Sequence, residues 1–361
     1  MNGLENINDP ADLRKKLRTM ILNGVIPPGS RLPGARTLGR KCGLHYQTVN
    51  RIYHELAERG LAETRQGHGT VVLHPDLSQV RILVLAEKVF DNERSHSYYR
   101  QEFVQGLEEK RAALGIQLEF AELGRNESSP VYDRFLRKSE DYDGIVLLFS
   151  FSADIPEVLF NCKIPLVAYM TNDSMPFSTV TADTVGTTYM ATRFLVEKGC
   201  RKVGLVVRNL ENPNIQRKLL GYVSAMRDSG LSIEPDFIWE LTGESQFFNV
   251  VQQIGDHLKN HRLLDGYVCT GSNEGIILSS CLRRDGVKIP EQTMIIGYDE
   301  VEGCDDITRV VLPRRACAHR CIEWILEHLG APVMGEKILI PAALHIGNTT
   351  TKNGGKKCHA S

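Results

Sequence analysis

From residue 80 onward the chain alternates short, almost wholly apolar runs with longer amphipathic stretches, and this alternation leaves few folds open to it. The runs Val80–Ala86, Gln117–Ala121, Gly144–Phe149, Pro165–Tyr169, Lys202–Val207, Phe237–Leu241, Gly266–Thr270 and Met294–Gly297 have strand length. Between them, Tyr99–Leu114, Val185–Lys198, Ile215–Ser229, Phe248–Asn260 and Ala316–Leu329 carry helical periodicity. A strand with no polar alternation must be covered on both faces, and intervening helices supply that cover for a parallel sheet. The pattern predicts an α/β body over residues 81–350. It should form two Rossmann-like lobes, roughly 100 and 130 residues long, with a cleft between them.

The first 75 residues follow different rules. Leu13, Leu17, Met20 and Ile21 lie at helical spacing before Asn23-Gly24. "IPPGSRLPG" (26–34) is a connector, Thr37–Lys41 a short helix stopped at Gly43. "HYQTVNRIYHELAERG" (45–60) puts Val49, Ile52, Tyr53 and Leu56 on one face. "LAETRQGHGTVVL" (61–73) reads as a hairpin with its tip at Gln66–Gly69. Three helices and a hairpin predict a winged helix-turn-helix over 1–75. Residues 76–80 form a linker, and "KNGGKKCHAS" (352–361) falls in a disordered tail placed at 351–361.

Charge divides along the same line. Through Pro75 there are 11 Lys and Arg against 6 Asp and Glu, whereas the remainder carries 32 against 38. A basic head on an acidic body suggests that only the head meets a polyanion. No apolar stretch is long enough to span a bilayer, so no membrane partner is expected. The N-terminus has no apolar signal core, which predicts a cytoplasmic location, and nine scattered Cys suit reduced thiols.

A reading helix in the major groove needs polar side chains on one face and apolar packing on the other. Tyr46, Gln47, Asn50 and Arg51 oppose Val49, Ile52 and Leu56 in that manner. Gln can bond adenine and Arg guanine bidentately, while Thr48 can meet a phosphate or a thymine methyl. Arg36 and Thr37 open the preceding helix, and Arg65 and His68 sit at the wing. "RLPGARTLGRKCGLHYQTVNRIYHELAERGLAETRQGHGTVV" (31–72) resembles the GntR-family winged helix through Leu32, Pro33, Arg36, Thr48, Val49, Leu56, Gly60, Leu61, Gly67, Gly69 and Thr70. The resemblance implies contact with double-stranded operator DNA at Arg36, Thr48 and the Gly67–Gly69 wing. Gly34 replaces the usual Ser, and His45-Tyr46 replace a common Ser-Arg, which alters the operator sequence expected.

The body resembles the effector domain of LacI-type repressors, which share the fold of periplasmic sugar-binding proteins. Residues 180–207 are read as that family's Asp-x-x-x-Gly and Gly-x-x-x-Ile/Val pattern, and 287–300 as its Val-Pro…Ile-Ile-Gly-Tyr-Asp, with two residues between Asp183 and Gly186 and Ile289 before Pro290. "RKLLGYVSAMRDSGL" (217–231) is read as Arg-x-x-Gly-Tyr/Phe…Gly-Leu. A GntR head on such a body is similar to hybrid regulators of the arabinose-repressor type. The resemblance implies a repressor acting as a homodimer. It also implies a small effector, a sugar or alternatively a nucleobase or nucleoside. Arg217 and Asp299 would form the ligand pair, with Asp173 and Asn273 nearby. A forked donor and a carboxylate suit vicinal hydroxyls. Tyr98, Tyr99, Phe151 and Trp239 offer rings for the C–H side of a sugar, Trp239 being equally suited to a core.

No cofactor or metal is expected. "CAHRC" (317–321) places Cys317 and Cys321 on one helix face but lacks the ligand set of a zinc site. No nucleophile elbow, zinc-protease or phosphate-loop motif occurs. GntR heads also occur fused to pyridoxal-phosphate aminotransferases, but this body is too short for one. A non-enzyme is expected.

Overall fold

In the computed structural model, the described residues are 7, 9–22, 24–65, 69–73, 77–87, 94–123, 141–148, 159, 162–169, 176–242, 247–271, 273–299, 306–329 and 333–351. Phe151, Asp173, Gly67, His68 and the tail beyond Thr351 lie outside them. Two compact units form: Met1–Thr181 with Arg314–Ile338, and Ala182–Pro313 with Leu339–Ser361.

The head begins with α1 (Pro10–Leu22), whose Leu13, Leu17 and Ile21 are fully buried. Helix α2 (Ala35–Cys42) ends on Gly43, which adopts the left-handed conformation at φ 67°. That conformation costs a Cβ-bearing residue free energy, and it turns the chain into α3 (Tyr46–Glu58). Val49, Ile52, Tyr53 and Leu56 of α3 are buried, and the Tyr53 hydroxyl donates to the Pro33 carbonyl at 2.7 Å. Strands β1 (Ala62–Arg65) and β2 (Gly69–Val72) pair antiparallel from Ala62↔Val72 to Arg65↔Gly69. The head and the first lobe share a unit. Arg18 on α1 reaches Asp143 at 2.5 Å, and the second oxygen of Asp143 accepts from the Arg81 amide at 2.9 Å.

The first lobe follows with β3 (Arg81–Glu87), α4 (Arg94–Leu114), β4 (Gln117–Leu123), β5 (Gly144–Leu148), β6 (Leu166–Tyr169) and β7 (Ser178–Ala182). The second contains α5 (Thr184–Glu197), β8 (Val203–Arg208), α6 (Pro213–Asp228), β9 (Ile238–Leu241), α7 (Phe247–Asn260), β10 (Gly266–Cys269), α8 (Glu274–Arg284), β11 (Met294–Tyr298) and β12 (Thr308–Val311). The chain then returns to the first unit with α9 (Arg314–Glu327) and closes with β13 (Lys337–Ile340) and β14 (Ala343–His345). The sheets have strand orders β13-β7-β6-β5-β3-β4 and β14-β12-β11-β10-β8-β9. Their central pairs are parallel, as the apolar runs require. All five residues of β5 and all five of β11 are buried.

Helix α9 packs on α4, from which it is separated by some two hundred residues of chain. Arg314 is 2% exposed and bonds Glu102 at 3.0 Å, while Lys110 meets Glu323 at 2.6 Å. Cys317 and Cys321 are core residues of α9, with the Cys317 thiol pushed up to about 12 by burial.

In the second lobe α5 and α6 touch through Gly221. A Cβ there would overlap the Val185 carbonyl and stand 3.0 Å from the Tyr189 amide nitrogen. Gly221→Ala should therefore force the helices apart at a cost of about 2 kcal/mol. Thermal denaturation should show it as a midpoint several degrees lower; an unchanged midpoint would refute the close approach.

Candidate functional site

Two sets of polar side chains stand out, one in the head and one in the second lobe. In the head, the face of α3 opposite its buried residues presents Tyr46, Gln47, Asn50 and Arg51. The His45 ring caps the helix, its Nδ1 accepting from the Gln47 amide at 3.4 Å. The Arg36 guanidinium, from α2, lies over the Tyr46 ring at 5.5 Å. Arg51 is 66% exposed and only loosely paired with Glu55 at 3.9 Å, so its fork can turn toward a base. Thr37 is exposed and Thr48 half-buried. At the base of the wing Arg65 bonds Glu63 at 2.8 Å, and this partner holds the Glu63 carboxyl below its ordinary range. Gly69 has φ 77°. Its open side faces the stem of Arg31, a basic residue beside the wing that the sequence reading omitted although it stands directly before Leu32-Pro33.

In the second lobe the polar groups gather where the parallel strands end. Arg208 closes β8, Thr270 follows β10, Tyr298 closes β11 and Asp299 follows it. Helix α6 adds Lys218, and α8 begins with Glu274. The Lys218 ammonium donates to the Thr270 carbonyl at 2.6 Å and sits 3.9 Å from the centre of the Tyr298 ring. Burial pushes Lys218 down to about 8, against the opposing pull of Glu274 and Asp299. Glu274 is 1% exposed and ion-paired with Arg208. Asp299 is 6% exposed and held at φ 74°, a region that non-glycine residues enter at a cost, and its amide donates to Val310 at 2.7 Å. Such a cluster offers ammonium and guanidinium donors, two carboxylate acceptors and one ring, all near the C-terminal strand ends where open α/β sheets bind ligands.

Two sequence expectations are corrected here. The pattern Arg-x-x-Gly fits poorly at Arg217, because Gly221 follows it by four positions; three before Gly221 stands Lys218. Lys218 is the cation that feels the charge of Glu274 and Asp299, and half-buried Arg217 is its neighbour along α6. Trp239 is a core residue at 1% exposure, not a platform for ligand. Its Nε1 donates to the Asp236 carbonyl at 2.9 Å, and its ring stacks on His257 at 5.0 Å. Asn273 is exposed at the start of α8. Tyr98 and Tyr99 fall within α4, but their side chains lie outside the described residues, as do Phe151 and Asp173.

Residues 11–72 match the bacterial regulatory proteins of the gntR family, and residues 192–350 match the periplasmic binding protein-like domain. A head that matches the gntR family therefore precedes a body that matches the periplasmic binding protein-like domain. Among curated relatives, the HTH-type transcriptional repressor CytR of Escherichia coli is 26% identical over 207 residues, 55% of this chain and 59% of that protein. The PurR repressor of Aliivibrio salmonicida is 25% identical over 145 residues, 39% of this chain and 43% of its own. The chain thus spans about half the length of the curated relatives it matches. A LacI-family regulatory protein from Chloroflexus aggregans superposes with a TM-score of 0.62 at 22% identity, over 74% of this chain and 98% of that one. The CelR–cellobiose complex superposes at 0.58 and 18% identity, over 97% and 100%. These two likenesses are likenesses of fold. Among the described residues, no helix is long and apolar enough to cross a membrane.

Proposed function

We propose that this protein is a ligand-controlled transcriptional repressor that binds operator DNA through its head as a homodimer. It is a cytoplasmic regulator and not an enzyme. The observation that carries the reading is α3, with an apolar face buried in the head and an exposed face of Tyr46, Gln47, Asn50 and Arg51. That division of faces is what a helix lying in a major groove needs. Arg36 and Thr37 at the start of α2, Thr48, and the wing around Arg65 and Gly69 add contacts to the phosphates and grooves.

The effector is a sugar held by Lys218 and Asp299, because an ammonium and a carboxylate match hydroxyl groups that accept and donate. Glu274 and Arg208 hold that pair in place. Similarity to the transcriptional repressors PurR and CytR, to a ribose operon repressor, and to a regulator in complex with cellobiose supports a small polar effector. Nucleosides, which carry the same vicinal hydroxyls, are the second reading. Effector binding controls DNA affinity only through a difference in its affinity for the two arrangements of the paired heads.

Selection of duplexes from a random library, followed by binding titrations in rising salt, tests the proposal. Affinity should fall steeply with salt, and the selected sites should be inverted repeats, as two heads related by a twofold axis require. Arg36→Ala should weaken selected and random duplexes alike by about tenfold, whereas Gln47→Ala or Arg51→Ala should relax preference at particular bases. Unchanged affinity in all three variants would overturn the assignment, and selection of single half-sites would overturn the dimer.

A further inference from the structure

We propose that Tyr46 is a positioning residue for DNA binding: its ring carries the Arg36 guanidinium, so that the two helices of the DNA-binding motif present cation and ring together to the duplex. The inference rests on the DNA-binding reading above.

The observations come from two elements. Arg36 is the second residue of α2, and Tyr46 is the first of α3. Their side chains meet with the guanidinium carbon 5.5 Å from the ring centre. The neighbouring His45 ring lies 4.7 Å from that of Tyr46, tilted by 42°. The Tyr46 ring thus has both a cation and a second ring against it. The His45 ring is itself held, because its Nδ1 accepts from the Gln47 amide.

Packing does not account for Tyr46. The head's core is made by Leu13, Leu17, Ile21, Leu38, Val49, Ile52, Tyr53 and Leu56, all at most 4% exposed, whereas Tyr46 is 37% exposed. An exposed ring at the first position of the reading helix contributes little to burial, and it faces solvent on the side where DNA would lie. What it does touch is a long flexible cation. A free arginine must give up most of its rotamer freedom to hold a phosphate or a base, and a guanidinium already resting on a ring has given up part of it. The flat weakly hydrated guanidinium suits such a surface better than a lysine would. His45-Tyr46 occupy the place where the GntR pattern has Ser-Arg. The cation that Tyr46 supports comes from the preceding helix.

The role separates from two others. A tyrosine that read a base through its hydroxyl would be damaged by Tyr46→Phe. A tyrosine that only stabilised the fold would lower the thermal midpoint and would act independently of Arg36. The test uses the full-length protein, a fluorescent duplex selected by the wild type, and the variants Tyr46→Ala, Tyr46→Phe, Arg36→Ala and Tyr46→Ala/Arg36→Ala. Tyr46→Ala should lose about threefold in affinity, part of the ordering cost of one long side chain, with the thermal midpoint little changed. Tyr46→Phe should stay within about twofold. The double variant should be no weaker than Arg36→Ala alone, because the ring acts through the cation. Losses that multiply, or a Tyr46→Phe as damaging as Tyr46→Ala, overturn the proposal while leaving the DNA-binding reading intact. A wild type that binds no duplex in a salt-dependent way overturns both.

Discussion

Lys218→Met should lose the effector while keeping the operator. The ammonium meets a backbone carbonyl and a ring and feels the charge of two carboxylates, Glu274 and Asp299. Methionine keeps the length of the side chain and removes its donors. Removing one partner of a buried charge-assisted contact costs roughly 2–5 kcal/mol, so a ligand bonded to Lys218 should weaken by about thirtyfold or more. Thermal shift and calorimetry against a panel of sugars, nucleosides and nucleobases should identify the compound that stabilises the wild type, and the variant should bind it at least that much more weakly. Equal affinity in the variant would remove Lys218 from the pocket. DNA affinity without effector should not change, since the head is untouched.

The same variant isolates a pH dependence whose sign is fixed. Lys218 titrates near 8 in the folded protein and near 10.5 when unfolded. Between those values the unfolded chain holds the extra proton, so stability rises with pH across that window. Below pH 8 both states are protonated and the cost of burying the cation is constant, about 3 kcal/mol. Denaturant unfolding at pH 7 and pH 10 should thus show the wild type gaining on Lys218→Met at the higher pH. Parallel pH profiles would show that the ammonium is not held against its solvation.

The contrast between Lys218 and Arg217 shows what the sequence could disclose. Lys218 lies four residues before Tyr222 and seven before Ala225, so it falls on the same face of α6 as those buried residues. Helical spacing therefore carried the signal, and a pattern read one residue out of register hid it. Trp239 is a different case. Strand alternation does not say whether a ring on a strand points to a core or a cleft, and the acceptor of its Nε1, Asp236, becomes visible only in the fold. The head and strands β3, β5, β8, β10 and β11 were legible because apolar runs and turn residues punctuate them. Strands β7, β12, β13 and β14 were not. "STVTA" and "TRVV" are short and hydroxyl-rich, and the Thr308 hydroxyl is satisfied by Gly347 and Thr350, which come from a segment about forty residues later. The return of α9 onto α4 likewise depends on partners such as Arg314 and Glu102 that no local pattern connects.

Glu274→Ala should be the most destabilising single change in the lobe-two cluster. Its carboxylate is 1% exposed, faces Arg208, and raises the proton affinity of Lys218. Truncation leaves Arg208, 27% exposed, with a partly solvated charge and no ion-pair partner among the contacts described for it. Breaking a buried pair from one side costs about 3–5 kcal/mol; with one partner partly in water, the loss here belongs near the lower end of that range. At about 2–4 °C per kcal/mol for a lobe of this size, the midpoint should fall by roughly 6–12 °C. Glu274→Gln, which keeps the shape and one acceptor, should lose less. Removing both charges, as Arg208→Met with Glu274→Leu, should recover part of the loss, because no uncompensated ion then remains. The variant has a second signature. Without Glu274 the desolvation of Lys218 meets less opposition, so its folded pKa should drop further below 8 and the rise of stability with pH should begin earlier. Denaturant titrations of the three variants across pH measure both effects. A Glu274→Ala protein as stable as wild type, with its pH profile unmoved, would show that the cluster is held together by its strands alone.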